Sequence, residues 1–203
     1  MKGLVLKDLL NLKQQAKIYL LIVAIWFGIG FADKNASFFS GVTMMLTILI
    51  PMTAIGYDDK AKWDRYALTM PISKTQLAIS KHLLGLLCAF AGMVLSLLLQ
   101  LIAIGVPKMT DLIKYISISS LGIIILSILL PLIFYYGIEK ARLLFLIVIL
   151  IPSAGALLIS KMNIQLPSEE TIMMIIKCFP LVAVIVFVIS LLISICIMNR
   201  KEF

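Results

Sequence analysis

Hydrophobic residues fall in six long runs along the 203-residue chain, separated by short polar stretches. The runs lie at about 18–32, 38–57, 83–106, 115–136, 143–160 and 178–198. An α-helix needs about 20 apolar residues to cross the roughly 30 Å hydrocarbon core of a bilayer, and most of the runs approach that length. The pattern therefore predicts an all-α, polytopic membrane protein with six transmembrane helices in a single domain spanning residues 1–203.

The composition excludes several other classes of protein. Hydrophobic residues make up 62% of the chain and charged residues 14%, against about 45–50% and about 25% in soluble domains. A chain of this length cannot hide so much apolar surface inside itself. A water-soluble enzyme, a disordered tail and a disulfide-stapled secreted domain are excluded together.

The net charge of +8 could indicate nucleic-acid binding in a soluble protein. Here, however, 13 of the 18 Lys and Arg residues lie on one side of the predicted membrane: in the N-terminal segment, residues 58–82, residues 137–142 and the C-terminal segment. Basic loops usually stay on the cytoplasmic side. We therefore expect a multi-pass protein of a plasma membrane, bacterial in origin, with both termini cytoplasmic and no nucleic-acid partner.

Residues 2–17 precede the first run and have helical periodicity of their own. Val5, Leu9 and Leu12 share one face with Ala16, while polar residues, Lys7 among them, lie opposite. The pattern predicts an amphipathic helix on the cytoplasmic membrane surface, in contact with membrane lipid. Its predicted membrane-surface residues are Val5, Leu9, Leu12, Lys13 and Lys17. A solvated extension of the first span is the alternative.

The chemistry of a stand-alone enzyme or pump is missing from the sequence. No predicted span carries an acidic or basic residue near its middle, which argues against an ion-coupled transporter. The single histidine, His82, makes no metal motif, and Cys88, Cys178 and Cys196 form no C-x-x-C pair, so we expect the cysteines to pack as small apolar residues. Gln100 lies deep in a span and is expected to bond a neighbouring helix. No Walker A loop occurs, so we predict a non-catalytic chain without a metal or cofactor of its own.

Residues 58–82 form the longest predicted cytoplasmic loop and hold eight of the 28 charged residues. Trp63, Tyr66, Ala67 and Met70 follow the spacing i, i+3, i+4 and i+7, which predicts one face of a short helix. Charged residues surround that face. Aromatic anchors ringed by both signs of charge suit docking into a groove on a cytosolic partner. They equally suit anchoring in the lipid headgroups, and the residues alone leave both interpretations open.

The second half of the same loop predicts the end of one helix and the start of the next. Pro71 disfavours a helical conformation at the preceding residue. Ser73 has Gln76 three residues later, the spacing of a capping box. The loop is therefore predicted to run helix, sharp turn, helix into the third span.

The stretch Lys62–Lys74, followed by Ser80-Lys81, resembles the loop after the second span of ABC-2-type permeases. It is most similar to a small six-span group that includes the permeases of the staphylococcal phenol-soluble modulin exporter. Lys74 stands where that family commonly has Arg, and His82 where it often has Tyr. The resemblance implies six spans, cytoplasmic termini and an amphipathic N-terminal helix.

The resemblance also implies a division of labour between subunits. A separate cytosolic ABC ATPase subunit would bind ATP and Mg, and the helix around 58–69 would be the coupling helix. The implied ATPase-coupling residues are Asp58, Asp59, Lys62, Trp63, Asp64, Arg65, Tyr66, Met70, Pro71, Ser73 and Lys74. A second permease chain, identical or paralogous, would complete the route across the membrane.

These expectations describe the membrane subunit of an ATP-driven exporter, with amphipathic peptides or another hydrophobic cargo as substrate. The alternative is the substrate-capturing membrane subunit of a vitamin-type importer, which also has six spans in about 200 residues. Such a subunit needs polar ligands in a membrane pocket and has no need of a long charged loop. No substrate-binding residue is predicted from the sequence.

Overall fold

A computed structural model of the chain describes residues 2–13, 15–33, 36–161 and 169–201. Every regular element in these ranges is a helix. In chain order they are α1 Lys2–Leu12, α2 Ala16–Ala32, α3 Ala36–Lys60, α4 Trp63–Ala67, α5 Lys74–Ala103, α6 Met109–Tyr136, α7 Ile138–Lys161 and α8 Glu169–Arg200. The predicted all-α class is confirmed, and each predicted apolar run falls within or almost within one helix.

Four of the helical segments in the described ranges are long and apolar enough to cross a membrane: Ser37–Lys60, Lys74–Ala103, Met109–Tyr136 and Met174–Arg200. A fifth candidate arises if α1 and α2, whose axes differ by 71°, are taken as one broken span. By itself α2 has 17 residues, a length of about 26 Å. The fifth predicted run, 143–160, lies in α7, whose side chains at 149 and 151–161 are outside the described part. A membrane protein is thus confirmed, while the count of six spans stays a prediction.

One end of the bundle brings together α1, the last turn of α3, α4, the first turns of α5 and the last turns of α8; we call it the charged end. The largest apolar core lies beneath it and joins Leu4 of α1, Ala67 of α4, Ala78 of α5 and Met198 of α8 to α3 and α6. The short helices are therefore packed on the bundle rather than set apart from it.

Polar side chains link the long helices at depth. Gln100 accepts a hydrogen bond from the Tyr115 hydroxyl of α6 at 2.7 Å, which confirms the predicted helix-to-helix role of this residue. His82 Nε2 lies 3.1 Å from the Ser190 hydroxyl of α8.

The cysteines are free thiols with two different surroundings. Cys88 packs beside a small apolar cluster of α1, α3 and α5. Cys178 and Cys196 are instead exposed on the outside of α8. The sequence predicts only that the cysteines pack as small apolar residues, without saying which side of a helix they occupy. A helix made almost wholly of apolar residues has no periodicity to show which side faces its neighbours.

A close approach between α3 and α5 yields a prediction about Gly92. A Cβ atom at Gly92 would lie 3.0 Å from Thr43 Cβ and 3.5 Å from the Thr43 carbonyl oxygen. Gly92→Leu is expected to lower the free energy of unfolding by about 1–3 kcal/mol through overpacking. The matched control is Gly41→Leu on α3, where a Cβ meets nothing within 4 Å. Thermal unfolding in detergent measures both variants, and an equal loss of Tm in the two would contradict this packing.

Candidate functional site

The segment between α3 and α5 is built from two pieces where the sequence predicted one helix over 58–69. α3 continues to Lys60, three residues beyond the predicted end of the second span. Lys62 then adopts a left-handed conformation with φ of 50°, which costs a non-glycine residue about 1–2 kcal/mol. The break redirects the chain, and α4 begins at Trp63 as a separate helix.

α4 ends at Ala67, and a turn leads to α5. The Ser73 hydroxyl accepts a hydrogen bond from the Gln76 N–H at 3.2 Å, and the Ser73 N–H donates to Gln76 Oε1 at 3.3 Å. The predicted capping box is confirmed. Met70 lies in the turn rather than on the helix, so the helical spacing predicted through Met70 extends three residues past the end of α4.

The predicted aromatic face divides into an inner and an outer part. Ala67 is fully buried and Trp63 packs against the core beneath it, whereas Tyr66 is 62% exposed and Met70 is 41% exposed. A five-residue helix is too short to hold four residues of a 3.6-residue period on one side. The residues that face outward here form what we call the exposed α4 surface: Asp59, Lys62, Arg65, Tyr66 and Met70.

Trp63 fastens α4 to the N-terminal helix. Lys7 Nζ of α1 lies 4.5 Å from the centroid of the Trp63 ring, within the range of a cation–π interaction. The buried Nε1 of Trp63 has no hydrogen-bond partner in the part of the chain that the structure describes. Packing and the lysine, rather than a hydrogen bond, therefore fix the ring.

Two lysines and two aspartates form a buried ionic network at the charged end. Lys81 of α5 lies 2.8 Å from the Asp8 carboxylate of α1 and 2.5 Å from the Asp58 carboxylate of α3. Lys7 lies 2.5 Å from Asp58 and 3.1 Å from Asp8. Each carboxylate thus contacts both ammonium groups, and the four formal charges cancel.

The network constrains the helices strongly because most of its side chains are buried. The side chains of Asp8, Asp58 and Lys81 are between 1% and 6% exposed, and that of Lys7 is 20% exposed. Separating one charge from the others would leave a buried ion without a partner, which costs about 3–5 kcal/mol. The network therefore holds α1, α3 and α5 in one fixed arrangement.

One feature of the sequence does indicate this network, namely an acidic residue within the apolar stripe of α1. Asp8 lies four residues from both Leu4 and Leu12, in the middle of an apolar stripe, and a lone acid there indicates a buried partner. Lys81, two residues before the start of the third apolar run, falls among the charges of the predicted cytoplasmic loop.

The membrane-surface helix is correspondingly rotated from its predicted orientation. Val5 and Leu12 share the predicted apolar face but are buried in the bundle, whereas Leu9 is 49% exposed and Asp8 takes its place against the bundle. Lys13 and Lys17 are exposed.

The remaining predicted residues lie around the network with different degrees of exposure. Asp64 is half-buried, and burial raises the pKa of its carboxyl, with the nearby charge of Asp58 adding to the effect. Lys74 donates to the Lys201 carbonyl at 2.6 Å, which ties the start of α5 to the end of α8. Pro71 is exposed in the turn beside Ser73.

No group of three or more His, Cys, Asp or Glu side chains within the described ranges could hold a metal ion.

Comparison with known proteins places these features in a family context. A family model described as ABC-2 family transporter protein matches residues 3–199, which run from α1 almost to the end of α8. Comparison with curated proteins gives no match.

The ionic network predicts a large effect of Lys81→Met. The substitution leaves Asp8 and Asp58 buried with one lysine between them, and we expect it to lower the free energy of unfolding by about 3–5 kcal/mol. Adding Asp8→Asn restores neutrality and should recover part of the loss. Lys140→Met, at an exposed position of α7, is the matched control. Thermal unfolding in detergent gives the comparison, and equal Tm values for Lys81→Met and Lys140→Met would refute the network.

The raised pKa of Asp64 predicts a pH-dependent effect of Asp64→Asn. A carboxyl whose pKa is higher in the folded state than in the unfolded state costs stability when charged, and the cost disappears as the pH falls through the folded pKa. We expect Asp64→Asn to raise Tm at pH 7 to 8 and to match the wild-type protein near pH 4. Asp59→Asn, at an exposed position, should change Tm less at neutral pH. A Tm difference that stays constant with pH would contradict this.

Proposed function

Because the chain belongs to the ABC-2 family of transporter proteins, we propose that it is the membrane subunit of an ATP-driven exporter and that its ATPase partner binds the exposed α4 surface. Permeases of this family are generally non-catalytic membrane subunits that work with a cytosolic ATPase. The family assignment favours this class over a substrate-capturing subunit of a vitamin-type importer.

The observation that carries the proposal is the position of Tyr66. Tyr66 is 62% exposed and lies next to exposed Arg65. Its inner neighbour Trp63 is packed against the core and Lys7. Tyr and Arg are enriched among the residues that dominate binding at protein interfaces. An exposed aromatic residue on a helix that is held rigidly from below suits binding to a partner, because the helix loses little conformational entropy when it binds.

The buried network gives this surface a connection to the membrane helices. Asp58 lies in the last turn of α3, five residues before Trp63, and Lys81 lies in the second turn of α5. A displacement of α4 by a bound ATPase would be passed to both helices, because pulling the paired charges apart is costly. In this proposal α4 is the coupling helix, and ATP and Mg belong to the partner.

The topology in this proposal places the charged end in the cytoplasm. The predicted cytoplasmic excess of Lys and Arg and the meeting of α1 with the end of α8 at this end support the assignment. Both termini would then be cytoplasmic, in a bacterial plasma membrane, where a cytosolic ATPase can reach α4.

We further propose that two permease chains pair, as a homodimer or with a paralogue, and that amphipathic peptides or another hydrophobic cargo cross between them. The long helices of the described part carry no charged residue near their middles, which suits such cargo. The similarity of residues 62–74 to the phenol-soluble modulin exporter group supports a peptide.

Tyr66→Ala tests the proposed interface directly. Loss of a central aromatic anchor costs about 2 kcal/mol or more, so binding of the co-purifying ATPase should weaken about 30-fold. Tyr135→Ala is a closely matched control, because Tyr135 is 67% exposed at the charged end of α6 and lies outside the exposed α4 surface. Affinity and stimulated ATPase activity are measured for both variants in detergent or vesicles.

The expected result is weak binding by Tyr66→Ala, normal binding by Tyr135→Ala and an unchanged Tm in both. Normal coupling in a folded Tyr66→Ala protein would overturn the interface. A purified chain that hydrolyses ATP without a partner would overturn the division of labour.

A further inference from the structure

An apolar groove lies in the angle between α1 and α2, with further walls from α3 and α5. Its volume is about 470 Å³, within the range of about 300–1,000 Å³ that is typical of small-ligand sites. The residues of the exposed α4 surface take no part in its lining. The groove is therefore a separate feature of the charged end.

The groove follows the long helices toward the middle of the bundle. Its lining runs along α3 from Ile50 to Thr43 and along α5 from Cys88 to Leu95, about 10 Å in each helix. One leaflet contributes about 15 Å of the hydrocarbon core. The groove thus spans much of a single leaflet, the depth that an acyl chain occupies.

The few polar groups inside the groove are already committed to the protein. The Thr43 hydroxyl donates to the Ser40 carbonyl at 2.9 Å, and the Thr47 hydroxyl donates to the Thr43 carbonyl at 3.0 Å. Both of these donors are turned toward the backbone, and the hydroxyl of Tyr19, which also lines the groove, donates to Thr53 Oγ1 at 3.0 Å. The interior therefore favours an apolar ligand.

The mouth of the groove is basic. Exposed Lys13 lines it. Exposed Lys17 lies in the first turn of α2, outside the lining. No acidic residue of the described ranges lines the groove, and the acid of α1, Asp8, is buried in its ion pairs. A negative charge at the mouth would meet lysine without competition from the lining.

We propose that this groove binds one acyl chain of an anionic phospholipid from the leaflet at the charged end, with the lipid phosphate held at Lys13. The depth and the apolar lining of the groove favour an acyl chain, and the basic mouth favours an anionic lipid headgroup. A lysine near the membrane surface favours an anionic over a zwitterionic lipid about fivefold. Because the ionic network fixes α1, the wall formed by Leu9, Leu10 and Leu12 is in place before lipid binds.

Native mass spectrometry of the full chain in detergent tests the proposal. The probes are phosphatidylglycerol and phosphatidylcholine with identical acyl chains. We expect one lipid retained per chain, with phosphatidylglycerol preferred about fivefold. Lys13→Glu should remove the preference, and Lys140→Glu, at an exposed position on α7, should keep it.

A second pair of variants separates the groove from the general apolar surface. Ala91→Phe adds a ring inside the groove from an exposed position that lines it, and we expect it to abolish retention of both lipids. Ala24→Phe adds the same ring at an exposed position of α2 outside the lining and should change nothing. If Ala91→Phe lowers Tm, Ala16→Phe fills the groove from α2 instead.

Three results would overturn the proposal. They are equal lipid retention by the groove-filling variant and Ala24→Phe, no headgroup preference in the wild-type chain, or conversion of a dimer to a monomer by Ala91→Phe without a change in lipid. The last result would identify the groove as a contact between chains. No ATPase is present in these measurements, so their outcome is independent of the proposed ATPase interface.

Discussion

Four ion-paired charges at one end of the bundle, three of them buried, determine how the other parts of the charged end are arranged. Lys7, Asp8, Asp58 and Lys81 come from three helices that are far apart in sequence, and each carboxylate contacts both lysines. Because the surroundings have a low dielectric constant, removing any one of these charges leaves another buried charge without a full partner, which lowers the free energy of unfolding. The network therefore fixes the angle of α1, the end of α3 and the start of α5 as one unit, and Trp63 attaches α4 to that unit through Lys7.

The charged end of the bundle is held more firmly than the deeper contacts between the long helices. The charged end is held by ion pairs, by the Ser73 capping box and by the bond from Lys74 to the end of α8. Deeper in the bundle, contacts between helices rest on apolar packing and on single hydrogen bonds such as Gln100 to Tyr115, which can be exchanged at lower cost. In the proposed exporter, a push on α4 would therefore move α3 and α5 together and leave the deeper helix contacts to rearrange.

Much of the fold follows from apolar run length, because a helix of about 20 apolar residues has few alternatives in a membrane. The capping box was predictable for a similar reason, since Ser73 and Gln76 are local to each other. The ionic network was not predicted, because its partners lie 51 and 73 residues apart and charged residues near membrane boundaries usually indicate loops. The division of α4 into inner and outer residues depends on the left-handed turn at Lys62, which no propensity of lysine indicates.

In the proposed exporter, the ionic network holds α4 as a firm surface for a cytosolic ATPase. Hydrogen–deuterium exchange of the full chain, with and without the co-purifying ATPase, tests it most directly. We expect strong protection of residues 59–70 on binding, with residues 135–142 at the same end of the bundle unchanged. Protection elsewhere with residues 59–70 unaffected would contradict it.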